Sequence, residues 1–209
     1  MPIDLGNPRF DPAAVSLPEL QAAVWAELAH ACGNARHAWR LPCLGSIWND
    51  APQQRIVVLR QVDHATCQLF AHSDLRTFKV QQFQQNPAAS WLFYHPEYRI
   101  QLRMSGTMKL HVADAVADQH WAQLGTELQV PYLAPFPPGE PCDVPSINLP
   151  PGMLNAVPKA EEVQAGRAHF VVLAAQIDEL DLLFLRHSGH LRAKLLHRSI
   201  GWHRTWVQP

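Results

Sequence analysis

From residue 44 onward, short β-prone runs alternate with polar turns along the chain. LGSIW (44–48), RIVVLR (55–60) and TCQLFAH (66–72) come first, followed by ASWLFYH (89–95) and RIQLRMSGTMKLHV (99–112). Runs of β-branched, aromatic and aliphatic residues bounded by turn residues predict strands. In the longest run, Gly106 predicts a bulge or bend. Helical spacing appears in three other places. Ser16 and Glu19 form a capping box ahead of Leu20, Val24, Leu28 and Ala31, which predicts an amphipathic helix over 17–32. SDLRTFKVQQFQQNP predicts a second helix, opened by Ser73 or Asp74 as N-cap and ended at Asn86-Pro87. DAVADQHWAQL (114–124) is the third candidate. Between Pro131 and Pro158 lie nine prolines in 28 residues. That is a long irregular connection, either a functional loop or a linker. Strands return in RAHFVVLAAQI, ELDLLFL, LRAKLLHR and GWHRTWV. At least seven strands against two or three helices predict a mainly β fold, an antiparallel barrel with helical additions.

Composition narrows this picture. The chain has 209 residues, 47% apolar and 17% charged, which fits a single globular domain over 1–209. A formal net charge of −1 argues against a general surface for nucleic acid or anionic membrane, and leaves room for a local basic site. No apolar run reaches the roughly 20 residues of a spanning helix, and MPIDLGNPRF has no signal-peptide character. Cys32, Cys43, Cys67 and Cys142 are widely spaced, with no CxxC. They read as free, mostly buried thiols of a cytoplasmic protein. Among the twelve histidines, His187 and His190 fall three apart in strand and turn, where no cysteine or carboxylate completes a metal site. No GxSxG occurs.

The chemistry concentrates around residues 55–103. In a strand, Arg55 shares a face with Val57 and Leu59, and Arg60 shares the other with Ile56 and Val58. The two cations then stand about 16 Å apart. They either flank a core strand at the surface or bracket an elongated anionic ligand. Ser73, Arg76, Thr77 and Lys79 crowd a predicted helix start. Cations are unfavourable at the positive end of a helix dipole unless an anion sits there; a solvated basic helix end is the alternative. Arg99, Gln101 and Arg103 share a strand face. A glutamine among arginines suits a planar heterocycle, and equally an ordinary polar sheet face.

Taken in order and spacing, RIVVLR, HSDLRTFK, QQNPAASWLFYHPEYRIQLRMSG and HLRAKLLHRSIGWHRTWVQP resemble the pyridoxamine 5′-phosphate oxidase-like family of FMN-binding split barrels. The likeness runs from about Arg40 to Pro209. It implies a six-stranded antiparallel split barrel and a homodimer with FMN at the subunit interface. It also implies a C-terminal dimerisation region at about 167–209, and an FMN-dependent oxidoreductase acting on a small molecule, with no nucleic-acid or membrane partner. By motif position, Arg55 and Lys79 would hold the FMN phosphate, with Ser73 and Thr77 adding hydroxyls. The backbone of Val58 and Leu59 would face the flavin edge, Arg60 the reactive face, and Gln101 the pyrimidine side of the ring. Phe184 stands where the oxidase has tryptophan and Lys194 where it has arginine, both reaching the flavin of the other subunit. The family's Arg-Leu-His substrate triplet is reversed here, as His190-Leu191-Arg192. Its substrate-phosphate residues are replaced by Trp121, Gly125 and Gln129. These departures imply a branch other than the vitamin B6 oxidase, with the substrate unidentified and no catalytic residue assigned. A haem or deazaflavin ligand, or flavin binding without turnover, are the alternatives for such a barrel.

Overall fold

The computed structural model describes residues 3–7, 10–155 and 157–209. Its strands are β1 (Cys43–Trp48), β2 (Ala51–Ile56), β3 (Gln61–Asp63), β4 (Gln68–Asp74), β5 (Ala88–His95), β6 (Ile100–His111), β7 (Phe170–Phe184), β8 (Leu191–Arg198) and β9 (Gly201–Val207). All pair antiparallel in one nine-stranded sheet, in the order β2-β1-β5-β6-β7-β4-β3, with β8 and then β9 attached beside β7. The expected antiparallel fold with helical additions is present. The strand count is nine rather than six among the described residues, and the ladder does not close into a ring.

Most elements follow from local pattern. β5 alternates exposed and buried positions along its whole length, with Ala89, Trp91, Phe93 and His95 turned inward. Helix α1 (Leu17–Gly33) starts with Ser16 and Glu19 satisfying each other's backbone amides, a cap worth about 1 kcal/mol. At Gly106 the β6–β7 register shifts, and a Cβ there would collide with the Gln176 carbonyl. β7 is one strand of 15 residues where the sequence reads as two. Its first half pairs with β4 and its second half with β8, while β6 runs along its other edge. Phe170 to Ala175 are all buried, because the main core lies under one face. A smaller apolar cluster of Phe70, Trp121, Tyr132 and Phe170 lies over the other.

Two predicted elements are corrected. RIVVLR is not one strand: β2 ends at Ile56. The Val57 and Leu59 amides then donate to the Pro42 and Arg40 carbonyls, and the Arg60 amide donates to Phe70 in β4. Pro42 precedes β1 and lacks an N–H, so a reciprocal ladder cannot continue past it. The stretch instead crosses from the edge of β1 to the edge of β4. Helix α2 spans Phe78–Gln85 with Thr77 as N-cap. Ser73 and Asp74 belong to β4, where they pair with Val171 and Phe170. The third helix, α3 (Ala115–Gln123), is capped by the Asp114 side chain. Among its described residues the proline-rich stretch contains one 3-10 turn, Val130–Leu133, and is pinned by Asn148, which bonds both backbone groups of Phe136. All four cysteines are free, three half-buried and Cys142 exposed. The expectation that they are mostly buried therefore overstates their burial.

Candidate functional site

β2 and the start of α2 bring Arg55, Ser73, Thr77 and Lys79 into one cluster. The Arg55 Nη1 donates to the Leu44 carbonyl at 3.2 Å and to Ser46 Oγ at 2.7 Å. Its Nη2 donates to Gln82 Oε1 at 2.6 Å. The Lys79 ammonium donates to Ser73 Oγ at 3.0 Å, and Ser73 Oγ lies 3.0 Å from Thr77 Oγ1. Thr77 makes no side-chain cap bond to α2; its hydroxyl donates to the Asp74 carbonyl. The Val80 amide is used on the Thr77 carbonyl, and the Phe78 and Lys79 amides are left open at the positive end of the helix. Burial pushes both cations below their ordinary values, and for Lys79 the nearby Arg55 charge adds to it. Asp74 is the nearest acid in sequence, but its carboxylate is engaged by the Arg76 amide and guanidinium. Arg76 therefore stands outside the cluster, and it also ties the proline-rich stretch through the Ala134 carbonyl. The hydrogen bonds of Arg55 and Lys79 thus go to neutral groups alone among the described residues, with Asp74 acting on Lys79 only through its charge. An oxyanion of phosphate type fits this donor set of two cations and two free amides, beside two hydroxyls that in the free chain donate to the Asp74 carbonyl.

Ser46 and Gln82 complete this cluster and are absent from the sequence reading. Gln82 sits among four glutamines in QQFQQ, which hides it. Its spacing from Lys79, three residues on and therefore on the same helix face, is the signal that could have found it.

A second cationic cluster lies on the outer face of β6, β7 and β8. Asp181, with 3% of its side chain exposed, meets Arg192 in a two-pronged pair at 2.8 and 2.7 Å. Arg103 approaches the same carboxylate at 3.1 Å and Lys194 at 3.9 Å; Lys194 also meets Glu179 at 3.3 Å. Burial raises the Asp181 carboxyl, but the hydrogen bond and charge of Arg192, with Arg103 and Lys194, outweigh it and hold the group below the usual aspartate value. Arg192 also lines a cavity of about 490 Å³ with His190, Trp206 and the C-terminal residues. His190 Nδ1 accepts the Arg186 amide.

The remaining predicted residues are dispersed. Val58 is half-buried, and its amide makes no hydrogen bond among the described residues. The Leu59 amide, by contrast, is used on Arg40 and its side chain is in the core. Gln101 lies half-buried between Tyr94 and Leu183 on the sheet. Phe184, 3% exposed, packs in the main core against Phe10. Trp121 lies in the smaller apolar cluster beside Tyr132 and Phe170. Arg60 is half-buried near Tyr132 and His72, and its guanidinium makes no hydrogen bond to a described residue. His72 Nε2 lies 3.0 Å from His120 Nδ1 while its own Nδ1 is buried without a partner. Burial, then His120 and Arg60, push His72 down to about 3, so this ring is neutral at physiological pH.

Glu27, His30 and His37 form a group that could hold a metal, with donor atoms within 4.8 Å of one another. The Trp39 amide donates to His37 Nδ1, so the ring proton sits on Nε2, facing Glu27 Oε1 at 2.7 Å. A metal at Nε2 would drive that proton to Nδ1, against the Trp39 N–H. His37 is therefore a helix cap held by Glu27 and poorly suited to ligate.

Residues 22–112, which include Arg55, Ser73, Thr77, Lys79 and Gln82, match the model of the pyridoxamine 5′-phosphate oxidase FMN-binding domain. No curated protein matches the chain by sequence. Among solved structures, a pyridoxamine 5′-phosphate oxidase-related, FMN-binding protein from Nostoc punctiforme PCC 73102 superposes with a TM-score of 0.69. It is 22% identical, over 94% of this chain and 99% of that one. PhzG from Burkholderia lata 383, solved with tetrahydrophenazine-1-carboxylic acid, gives a TM-score of 0.66 at 15% identity, over 97% and 98% of the two chains. At these identities the superpositions establish the fold. The segment that supplies the Arg55–Lys79 cluster is thus the segment that matches the pyridoxamine 5′-phosphate oxidase FMN-binding domain.

Proposed function

We propose that the protein is an FMN-dependent oxidoreductase of this family, acting on a small molecule other than the vitamin B6 phosphates. One observation carries the reading: Arg55 and Lys79, both half-buried and charged, are held by neutral partners alone at the open start of α2. A buried cation without a carboxylate is costly unless an anion completes it. The FMN phosphate is the anion that the family supplies. Ser73 and Thr77 would add hydroxyl donors, and the unpaired Val58 amide a donor toward the flavin edge. Bound FMN would supply hydride transfer at its N5, the cofactor's own chemistry.

The chain's residues bind and orient. Arg60, half-buried with no hydrogen-bond partner, is suited to orient an anionic substrate. His190 and Arg192 are candidates for the same task beside the C-terminal cavity, and Trp121 for the wall of the substrate site. Gln101 would meet the pyrimidine side of the ring. Phe184 and Lys194 would act from the partner subunit of a homodimer, with FMN at the interface. Phe184 has to leave the core packing described above to do so, and Lys194 its acidic neighbours. Counting β2 and β3 as one strand interrupted at 57–60, and leaving out β8 and β9, would give the six strands of a split barrel. The free thiols support a cytoplasmic setting; no helix of the described residues is long and apolar enough to cross a membrane.

The visible absorption spectrum of the purified protein, before and after FMN is added, tests the reading. A flavin spectrum whose chromophore is released as FMN on denaturation is expected. A sharp haem band, or failure to bind added FMN, would overturn it.

A further inference from the structure

We infer that Gln82 is a positioning residue that fixes the Arg55 guanidinium without neutralising it, so that its charge and one of its two forks stay available to a phosphate. The inference rests on the FMN reading above. Gln82 is 1% exposed, on the α2 face that carries Lys79. Its Oε1 accepts two hydrogen bonds, from Ser46 Oγ at 2.6 Å and from Arg55 Nη2 at 2.6 Å. Ser46, itself buried, accepts from Arg55 Nη1 at 2.7 Å. The three side chains close a ring of hydrogen bonds: Nη1 to Ser46, Ser46 to Gln82, and Nη2 to Gln82.

That ring occupies the end-on edge of the guanidinium, between Nη1 and Nη2. The other Nη1 hydrogen goes to the Leu44 carbonyl. What remains is the Nε–H and the outer Nη2–H, which lie parallel on the side-on edge and match two oxygens of a phosphate. At three other arginines, Arg76, Arg167 and Arg192, the same side-on edge is filled by an acid. Arg76 gives it to Asp74 and Arg192 gives it to Asp181. Arg55 is an arginine tied at its end-on edge whose side-on edge has no acid.

Chemistry explains why the brace is an amide. Arg55 has donors only, so the atom facing it must be an acceptor. A glutamate at 82 would accept the same two bonds in the same shape and would stabilise the half-buried cation further. It would also cancel the charge that a phosphate must meet. An amide oxygen supplies the geometry and leaves the charge on Arg55, beside the equally unpaired Lys79. The glutamine therefore favours anion binding over the stability of the free protein.

The test is equilibrium titration of apo-protein with FMN and, separately, with riboflavin, which lacks the phosphate, following flavin fluorescence. In Gln82→Glu, FMN affinity should fall at least about tenfold, the scale of one charged hydrogen bond. Riboflavin affinity should stay within about twofold, and the apo-protein should melt no lower than wild type. In Gln82→Met, which removes the brace and leaves the charge, the FMN-over-riboflavin preference should fall by less than in the glutamate variant. A merely structural glutamine predicts the opposite order, since glutamate restores both bonds and methionine neither. An unchanged preference in Gln82→Glu, or a larger loss in Gln82→Met, would overturn the inference. Should the glutamate variant not fold, an unchanged preference in Gln82→Met overturns it alone. Arg55→Ala separates the two levels. If that variant keeps the FMN-over-riboflavin preference, the phosphate reading itself has failed. If it loses the preference and Gln82→Glu does not, only the role of Gln82 has failed.

Discussion

Two groups of cations, built from similar side chains, reach opposite solutions. Around Asp181, Arg103, Arg192 and Lys194 gather on one buried carboxylate, with Glu179 nearby, and the charges largely cancel within the chain. At the start of α2, Arg55 and Lys79 stand together with a serine, a glutamine and a backbone carbonyl as their partners. The first arrangement is complete as it stands. The second gives up stability to keep two charges unpaired in a half-buried place, which is the mark of a site that waits for an anion. Local charge count does not separate the two; the identity of the acceptors does.

Removing both cations of the open cluster should have the largest effect. In Arg55→Ala/Lys79→Ala, FMN affinity is expected to fall by at least about 100-fold, since two charged hydrogen bonds are lost at roughly 1.5–3 kcal/mol each. The far-ultraviolet spectrum should be unchanged. Unaltered FMN affinity in a folded double variant would refute the phosphate assignment. The closed cluster should answer differently. Asp181→Ala leaves three partly exposed cations facing one another and should cost about 1.5–3 kcal/mol in a denaturant titration, the scale of a charged hydrogen bond. A loss below about 1 kcal/mol would show that solvent already screens the group, and the contrast between the two clusters would collapse.

What the sequence made legible follows from how local each cause is. The strand alternation of ASWLFYH, the capping box at Ser16 and Glu19 and the bulge at Gly106 are set by neighbours in the chain, and all three are found in the structure. The split of RIVVLR was hidden because it depends on register. Only when Arg55 is seen opposite Leu44 does Pro42 fall where the next reciprocal bond would be needed. Ser73 and Asp74 read as helix caps, yet β4 claims them by pairing with Val171 and Phe170, far along the chain. The site divides in the same way. Arg55, Ser73, Thr77 and Lys79 are bound by motif spacing, and the structure brings them together. Gln82 and Ser46 are visible only as neighbours in space. Asp181 is one acid inside ELDLLFL, and nothing local says that three cations will meet it across β6 and β8.

The pH dependence of FMN binding should be a smaller effect with a definite sign. Burial, and then the Arg55 charge, hold Lys79 below its ordinary value of 10.5 in the free protein. Below that lowered value the ammonium is charged and ready for phosphate. As pH rises through it, the free protein releases a proton that binding must take back, so FMN affinity should fall by up to about tenfold per pH unit. Riboflavin affinity should not follow. A flat FMN profile up to pH 10.5, with the fold intact, would mean that Lys79 does not meet the phosphate.

The smallest effect concerns two lysines with the same substitution. Lys79→Met removes a half-buried charge whose donor meets only a hydroxyl, so the apo-protein should gain about 0.5–1 kcal/mol. The sign follows from linkage: with its folded value depressed, Lys79 binds its proton more weakly in the native chain than in the unfolded one. Its charge therefore opposes folding at neutral pH, and the opposition fades as pH rises toward 10.5. Lys194→Met, by contrast, takes a cation from Glu179 and Asp181 at a partly exposed position and should lose up to about 1 kcal/mol. Chemical denaturation of both apo-variants at pH 7 compares them directly. Opposite signs would mean that the two clusters differ in what the free chain leaves unpaired. Equal losses would mean that the neutral groups around Lys79 already satisfy it, and that no anion is needed there.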